Sequence, residues 1–259
     1  MEAIDLSGKK GLVVGVANAD SLAWSAAQHF RAAGADLALT YYSDKAKPHV
    51  EPLAQQVQAM LLPCNVLKAG ELEAVFEALG KTWGRLDFVF HSIASAPKED
   101  LQGRLTDCSA AGFSEAMQVS CHSLIRMAHL AEPWMRDGGS LTTVSFYGAE
   151  KVVEHYNVMG PVKAALEASV RYLAHELGRS HIRVNAISAG PVRTRAASGI
   201  THFEELLDAA AQRSPQRRTI DGCEVGRVAL MLASSYASAI TGEVVHVDGG
   251  FHVEGMVFH

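Results

Sequence analysis

Two side chains spaced seven positions apart offer the clearest chemistry in this sequence. Tyr156 and Lys163 lie in a stretch with helical periodicity, and seven residues at about 100° each complete nearly two turns, so both side chains are expected on one face. A phenol ordinarily titrates near pKa ~10, and a nearby ammonium favours its ionised form and strengthens it as a donor to a developing oxyanion. The same lysine could bind sugar hydroxyls. Because this spacing is common by chance, two solvent-exposed side chains are the alternative.

Pro161 lies between the two residues and restricts where their helix begins. In a helix interior, proline costs about 3 kcal/mol, but a first-turn residue has no intrahelical N–H partner to lose. The sequence therefore predicts a helix that starts near Tyr156 or Asn157, with Tyr156 at its mouth and facing a cleft.

The turn after the first predicted strand has the features of a phosphate-binding loop. Gly15 permits a tight turn, and the small Ala17 and Ala19 permit close approach of the backbone to a pyrophosphate. Ser21 is placed to cap the following helix or to offer its hydroxyl to phosphate. The full GxGxxG pattern is absent, so an ordinary strand–helix turn is the alternative at this point.

The adenosine side leaves the choice between NADH and NADPH open. An acidic residue at the end of the second strand, near Tyr42, would receive ribose hydroxyls and mark NAD, but none stands there. Lys45 and Lys47 follow and could meet a 2′-phosphate, or could be solvated helix charges. Asn65, just after the third strand, could bind an adenine amino group or simply hold a turn.

Short apolar runs alternate with longer amphipathic segments along the whole chain. This alternation predicts an α/β fold with a doubly wound, mostly parallel sheet and helices on both faces. The predicted strands are Gly11–Val16, Asp36–Tyr41, Met60–Cys64, Leu86–Ser92, Ser140–Ser145, Ile182–Ser188 and Val244–Val247. The predicted helices are Ser21–Ala33, Asp44–Ala59, Leu67–Trp83, Phe113–Met135, Tyr156–Leu177 and Asp221–Ser234.

Residues 1–259 show no linker or repeat, so we expect a single domain. The stretch of about 191–218 follows the carboxyl end of a strand, where open α/β sheets bind ligands. It is predicted to be a mobile segment that covers the substrate, with a surface excursion that only packs as the alternative. We call residues 191–218 the covering segment.

Composition excludes several classes of function. The net charge is −5 with no basic block, which argues against nucleic acid and anionic membranes, and no apolar run approaches the length of a membrane span. The polar N-terminus does not have the pattern of a signal peptide. Four scattered cysteines without a CxxC pair indicate free thiols in a reducing cytoplasm, and the histidines show no metal-ligand spacing.

The motifs together resemble the short-chain dehydrogenase/reductase superfamily, and closely the bacterial enoyl-acyl-carrier-protein reductases. The resemblance covers nearly the whole chain and is far more specific than any single motif. Its matching segments are Gly15–Ala17, Ser21–Trp24, Leu39–Tyr41, Leu62–Val66, His91–Ile93, Gly148–Glu150, Tyr156–Gly160, Arg183–Pro191, Arg193–Ile200 and Gly242–Phe251.

This resemblance implies hydride transfer from a reduced nicotinamide to the β-carbon of a 2-enoyl thioester on acyl-carrier protein, in fatty-acid synthesis. Tyr156 would stabilise the developing enolate oxygen, Lys163 would hold the nicotinamide ribose, and Ala96 would border the substrate. The cofactor would be NAD, with NADH favoured over NADPH, and the assembly a homotetramer. The residues that it assigns to the cofactor are Gly15, Ser21, Leu22, Tyr42, Asn65, Val66, Ile93, Lys163, Val192, Arg193, Thr194, Arg195 and Ala196.

The sequence departs from the family pattern at several positions. The family has a second active-site tyrosine right after the serine that ends the fifth strand, whereas here Phe146 stands there and Tyr147 follows one residue late. Both are kept as candidate catalytic residues, although a step of one residue turns a strand side chain to the other face. The family's glycine after His-Ser-Ile is Ala94. These departures fit a paralogue with altered substrate.

Two further functions stay open from the sequence. A carbonyl or alcohol oxidoreductase on the same scaffold would need a serine about thirteen residues before Tyr156, where Thr143 stands. A non-catalytic nucleotide-binding protein is the third possibility, motivated by Phe146 and Ala94.

Overall fold

All strands of the described chain belong to one parallel sheet. The computed structural model describes residues 4–194 and 202–255. Within them the sheet has seven strands in the order β3-β2-β1-β4-β5-β6-β7, and every neighbouring pair is parallel. This confirms the predicted doubly wound fold. The strands are β1 Lys10–Val14, β2 Asp36–Tyr41, β3 Met60–Pro63, β4 Phe88–His91, β5 Gly139–Ser145, β6 Ile182–Ala189 and β7 Val244–Val247.

Helices cover both faces of this sheet and divide the core in two. One apolar cluster lies beneath α1, α2 and α9, and the other beneath α3, α5, α6 and α7. The central strands are therefore buried on both sides, which explains continuous apolar runs such as Leu12–Val14 and Phe88–Phe90. The helices are α1 Leu22–Ala32, α2 Lys47–Gln56, α3 Glu71–Trp83, α4 Lys98–Leu101, α5 Ala110–Met117, α6 Ser123–Ala131, α7 Met159–Leu177, α8 Phe203–Arg213 and α9 Gly222–Ala233.

The strand order reverses between β1 and β4. The chain moves outward from β1 to β2 and β3, then returns to place β4 on the other side of β1. Ligands of open α/β sheets bind at such a switch point, outside the carboxyl ends of the strands. The loops after β1, β4, β5 and β6 all leave from this edge, so the sheet gathers there the segments that carry the predicted site residues.

The predicted helix Phe113–Met135 is interrupted by a π-helical turn, Gln118–His122, between α5 and α6. Ser120 Oγ in this turn accepts a hydrogen bond from Ser95 N at 3.0 Å and donates one to Ser95 O at 3.2 Å. The turn therefore anchors the loop that follows β4. Such single π-turns inside α-helices occur frequently at functional sites.

The covering segment contains a helix that was not among the predicted ones. This helix is α8, Phe203–Arg213, which is amphipathic and buries Leu207 and Ala210. Its acidic first turn, with Glu204 and Glu205, suits the positive end of the helix dipole. The covering segment is thus partly a helix packed on the molecule.

The sequence predicted no membrane span, free cysteines and no metal site. No helix in the described ranges combines the length and apolarity that a bilayer crossing requires. The four cysteines have free thiols, and burial raises the pKa of the Cys64 thiol to about 12. Between residues 4 and 194 and between 202 and 255, no three His, Cys, Asp or Glu side chains are grouped so as to hold a metal ion.

Candidate active site

Lys163 lies on the buried face of α7, at the edge where the strands end. The residue is 5% exposed, and its Nζ donates a hydrogen bond to the carbonyl oxygen of Val144 at 2.7 Å. Burial lowers the pKa of Lys163 to about 8, against an opposing effect of the Glu167 carboxylate. Near neutral pH the side chain is therefore an ammonium held in a dry environment, where its charge acts strongly on its neighbours.

Tyr156 precedes α7 instead of starting it. His155 and Asn157 on either side have left-handed backbone angles, with φ of 63° and 42°, so the helix begins only at Met159 and Pro161 falls in its first turn. The prediction that Tyr156 lies at the helix mouth is confirmed, but the start near Tyr156 or Asn157 is wrong. Asn157 Nδ2 fixes this strained segment by donating to Leu101 O at 2.7 Å.

Two effects raise the pKa of the Tyr156 phenol. Burial is the larger, and the nearby Glu167 carboxylate adds to it. The expected strengthening of the phenol by the Lys163 ammonium stays a prediction. Tyr156 carries an O–H group, which makes it a hydrogen-bond donor for an oxyanion.

Phe146 and Tyr147 diverge at the end of β5. The Phe146 ring packs edge-on against the Tyr156 ring, with 4.8 Å between centroids. Tyr147 starts a short 3₁₀ turn, and its ring packs against Phe251 at 5.5 Å, away from the cavity that Phe146 lines. The structure therefore does not bring Tyr147 to the site, and Phe146 contributes an apolar wall without a hydroxyl, so neither carries out proton chemistry there.

A mostly apolar cavity opens in front of Tyr156. Ala96 borders it as predicted, and Ala94 also lines it. Sequence reasoning missed several apolar residues that complete its wall from α4, α7 and α8, because nothing in their own pattern distinguishes a cavity lining from a core. These residues are Leu101, Met159, Phe203 and Leu206.

A second cavity adjoins the first and is floored by the Gly15 loop. Lys163, Leu22 and Thr194 line both cavities, so Lys163 stands at their junction. Gly15 has φ of 114°, and a Cβ on it would lie 2.0 Å from Ser92 O. Only glycine fits this close crossing of the loops after β1 and β4. Together with the N-terminus of α1, the groove has the form of a dinucleotide cradle.

Ser21 stabilises this loop in a way that the sequence did not predict. Its Oγ accepts from the backbone N–H groups of Ala17 and Asn18, both at 3.0 Å, and it makes no capping bond to α1. The capping role is therefore wrong. The Ser21 hydroxyl pins the turn, so the start of α1 has no side-chain cap from Ser21 and is available to a phosphate.

The predicted adenosine-side residues occupy the loops after β2, β3 and β4. Ile93 lines the cofactor cavity, whereas Tyr42 is an exposed side chain at the end of β2. Asn65 Oδ1 accepts from Leu67 N at 3.0 Å, so this side chain holds its own turn. The Val66 carbonyl accepts from Arg126 Nη1 at 2.9 Å, which leaves only its apolar side chain for an adenine ring.

The covering segment contributes Val192 and Thr194 to the substrate cavity. Arg193 turns outward and pairs with Glu204 at the surface. The predicted cofactor residues Arg195 and Ala196 lie outside the described residues.

A buried histidine that the sequence did not single out as a site residue supports the site from behind. His91 at the end of β4 is fully buried, with Nδ1 2.7 Å from Thr143 Oγ1 and Nε2 2.8 Å from Ser123 Oγ. Ser123 donates its own proton to Val119 O, so His91 Nε2–H donates and Nδ1 accepts. Burial lowers the pKa of His91 to about 3, with Lys163 adding to the effect. His91 is therefore neutral.

Glu167 and Ser145 also escaped prediction. Glu167 is 6% exposed, and its Oε1 accepts a hydrogen bond from Ser145 Oγ at 2.5 Å. The sequence held one signal for it, a carboxylate four residues after Lys163 on an otherwise apolar helix face. We call the set His91, Ser145, Lys163 and Glu167 the catalytic floor.

A dinucleotide groove that meets a buried phenol and ammonium at a sheet switch point defines a nicotinamide-dependent oxidoreductase of the short-chain dehydrogenase type. Comparison with known proteins narrows this class. A sequence profile described as Enoyl-(Acyl carrier protein) reductase matches residues 15–252. The chain belongs to the enoyl-acyl-carrier-protein reductase family.

Individual relatives agree over almost their full length. The chain is 50% identical over 252 residues to Enoyl-[acyl-carrier-protein] reductase [NADH] 1 of Rhizobium meliloti, covering 97% of this chain and 93% of the relative. The crystal structure of the reductase from Anaplasma phagocytophilum in complex with NAD is 50% identical, with a TM-score of 0.94, covering 99% of this chain and 98% of that one. The reductase from Aquifex aeolicus is 44% identical with a TM-score of 0.95, covering 97% and 99%.

Proposed function

We propose that this protein reduces trans-2-enoyl thioesters of acyl-carrier protein, with NADH as the hydride donor. The observation that carries the proposal is the position of Tyr156 and Lys163 in the substrate cavity, with Lys163 also lining the dinucleotide groove. In the reaction, hydride would add to C3 of the enoyl group and move the π-electron pair onto the thioester oxygen as an enolate. The enolate would then take a proton from water at C2, so that the carbon–carbon double bond becomes single.

When bound in the groove lined by Gly15, Leu22 and Lys163, NADH would supply the hydride. The Tyr156 hydroxyl donates a hydrogen bond to the thioester oxygen, where negative charge develops as C3 accepts hydride. The Lys163 ammonium holds the nicotinamide ribose and adds positive charge beside that oxygen. Phe146 and the apolar wall exclude water and accept the acyl chain, while the carrier protein stays outside.

We expect NADH to be preferred over NADPH. Of the two lysines that could meet a 2′-phosphate, Lys47 pairs with Glu51 at 3.7 Å and lies 6.0 Å from the centre of the Tyr41 ring. Its charge is thus already balanced at the end of β2. The relative from Rhizobium meliloti is an NADH enzyme by name, and the same preference is expected here.

The test is oxidation of NADH in the presence of crotonyl and longer enoyl thioesters, with NADPH and a secondary alcohol with NAD⁺ assayed in parallel. Tyr156→Phe removes the donor and keeps the ring, so we expect kcat to fall by roughly 10²- to 10³-fold with NADH affinity retained. The matched control is Tyr236→Phe, at an exposed tyrosine after α9 that lines neither cavity, and it should leave turnover unchanged. Wild-type protein that binds NADH but reduces no enoyl thioester would contradict the proposal.

The carbonyl oxidoreductase alternative has less support. The Thr143 hydroxyl, which would have to replace the serine of that class, is fully buried and bonded to His91. It does not face the cavity, so no second function is proposed.

We also propose that the protein is a cytoplasmic homotetramer. Tyr172 on α7 is 74% exposed and Ile125 on α6 is 38% exposed, and β7 leaves one edge of the sheet unpaired. Apolar side chains on neighbouring helices and an open strand edge are surfaces that a second copy can cover. Sedimentation analysis tests this, and a monomer at micromolar concentration would contradict it.

A further inference from the structure

We propose that Glu167 is a positioning residue for the reaction, which holds Lys163 in its ammonium form and fixes the end of β5 against α7. The inference rests on the proposed function and assigns a role to a buried carboxylate that the reaction itself does not consume.

The first support is the placement of Glu167 on α7. It follows Lys163 by four residues, so the two side chains are neighbours on the same helix face, and both residues are at most 6% exposed. A buried carboxylate is costly unless a partner compensates its charge. The Ser145 hydroxyl and Arg171 offset part of this cost, and the Glu167 carboxylate in turn acts on the Lys163 ammonium.

The second support is the bond to Ser145. Ser145 Oγ donates to Glu167 Oε1 at 2.5 Å, and the preceding residue, Val144, accepts from Lys163 Nζ at 2.7 Å. Two adjacent residues of β5 are thus tied to two residues one turn apart on α7. The next residue is Phe146, whose ring contacts Tyr156. The clamp therefore sets the positions of the ammonium and of the wall beside the phenol.

Other charged groups act on this pair from several elements. Glu150 after β5 and His246 on β7 lie close enough to Glu167 to affect its titration, as does Arg171 on α7 itself. Glu150 and His246 pair with each other at 2.9 Å. Of these carboxylates, Glu167 is the one that acts on Lys163. Burial raises the pKa of Glu167 and the Ser145 bond opposes this.

Lys163 itself faces few other charges. His91 on β4 is neutral, as described above. Cys121 in the π-turn also raises the pKa of Lys163, but its effect is smaller than that of Glu167. Removing the Glu167 charge should therefore make the Lys163 ammonium easier to deprotonate, because an opposite charge nearby is the main effect that offsets its burial.

The experiment compares Glu167→Gln with the wild type as a function of pH. Glutamine keeps the shape and can still accept from Ser145, but loses the charge. We expect the alkaline limb of kcat/KM to move down by about one pH unit, so that the variant is close to wild type at pH 6.5 and roughly fivefold slower near pH 8. The affinity for NADH, measured by nicotinamide fluorescence, should fall over the same shifted pH range.

Two further variants separate charge from structure. Glu176→Gln removes a carboxylate from the exposed side of α7 and should leave both pH profiles unchanged. Glu167→Asp keeps the charge and should retain the wild-type limb even if its melting temperature falls. This variant also carries the test if Glu167→Gln does not fold, since a shifted limb in the aspartate variant would contradict the proposal.

The outcomes are distinguishable from a failure of the proposed function. An unshifted limb in Glu167→Gln, with only a lower rate or melting temperature, would make Glu167 a purely structural residue. Absence of enoyl reduction by the wild type would leave the NADH binding profiles as the deciding measurement, because these depend on Lys163 and not on the identity of the substrate.

Discussion

The catalytic floor and the covering segment surround the same cavity and are built in opposite ways. Lys163 and Glu167 in the floor are 5% and 6% exposed, and their bonds run to the backbone and side chains of β5. In the covering segment, the ion pair of Arg193 and Glu204 has both side chains 68% exposed. Buried polar groups are energetically demanding and define one geometry, whereas exposed pairs contribute little. The residues proposed for the chemistry therefore lie in the buried floor, whereas the more exposed covering segment borders the entrance to the cavity.

The largest effect should come from the tight crossing beside the floor. In Gly15→Ala, the new methyl group would meet Ser92 O at 2.0 Å in a backbone conformation with φ of 114°, so the loop must move. We expect NADH binding to weaken at least tenfold and the melting temperature to fall, as measured by nicotinamide fluorescence and thermal unfolding.

Gly70→Ala is the control for this variant. Gly70 also has a positive φ, of 83°, but a Cβ there meets nothing within 4 Å. It should show the backbone strain without the loss of NADH affinity. Equal loss of affinity in both variants would mean that the crossing at Gly15 does not shape the groove.

A smaller effect is expected from the floor histidine. The pKa of His91 is lowered to about 3 by burial, so the unfolded chain takes up a proton that the folded chain refuses as pH falls below about 6.5. Stability should therefore decrease with acidification, by roughly 2–3 kcal/mol between pH 7 and pH 4.5 from this residue. In His91→Gln this part of the pH dependence should disappear in denaturant titrations at each pH.

The covering segment provides the comparison for His91. His202 has a side chain that is 51% exposed and pairs with Glu205. His202→Gln should keep the acid-dependent loss of stability of the wild type. If the two glutamine variants showed the same pH dependence, the contrast between the regions would not extend to their histidines.

The smallest effect belongs to the surface pair. Glu204→Gln breaks the contact with Arg193, yet both groups stay hydrated, so the melting temperature should be unchanged within error. Any change should be confined to the KM of the thioester, since α8 lines the mouth of the cavity. A fall in stability as large as that of Glu167→Gln would show that the covering segment is as tightly determined as the floor.

The sequence predicted the sheet well because apolar runs and alternation depend on local pattern. Gly15 and Ala96 line the cavities as expected, since their loops follow strands whose order is restricted by the fold, and Lys163 reaches them from α7. The start of α7 was missed, because the left-handed residues His155 and Asn157 are held by a contact to Leu101 that is distant in sequence.

The roles of titratable groups were the least predictable. Whether Lys163 or burial controls the pKa of Tyr156 depends on the dry environment and on Glu167, and neither is visible in a spacing of seven residues. The same holds for Ser21, whose hydroxyl bonds to the loop before it instead of the helix after it. Such choices are made by three-dimensional neighbours and not by residue type.

The π-turn Gln118–His122 has a consequence for how this protein tolerates insertions and deletions. Each residue added to or removed from a helix rotates everything beyond it by about 100°. Ser120 meets Ser95 on one side of the turn, and Ser123 meets His91 just after it. Removing one residue would convert the π-turn into regular α-helix. Ser120 could then no longer contact Ser95 while Ser123 contacts His91. The wider turn thus sets the angular phase between α5 and α6, and chain length at this point is as restricted as residue identity.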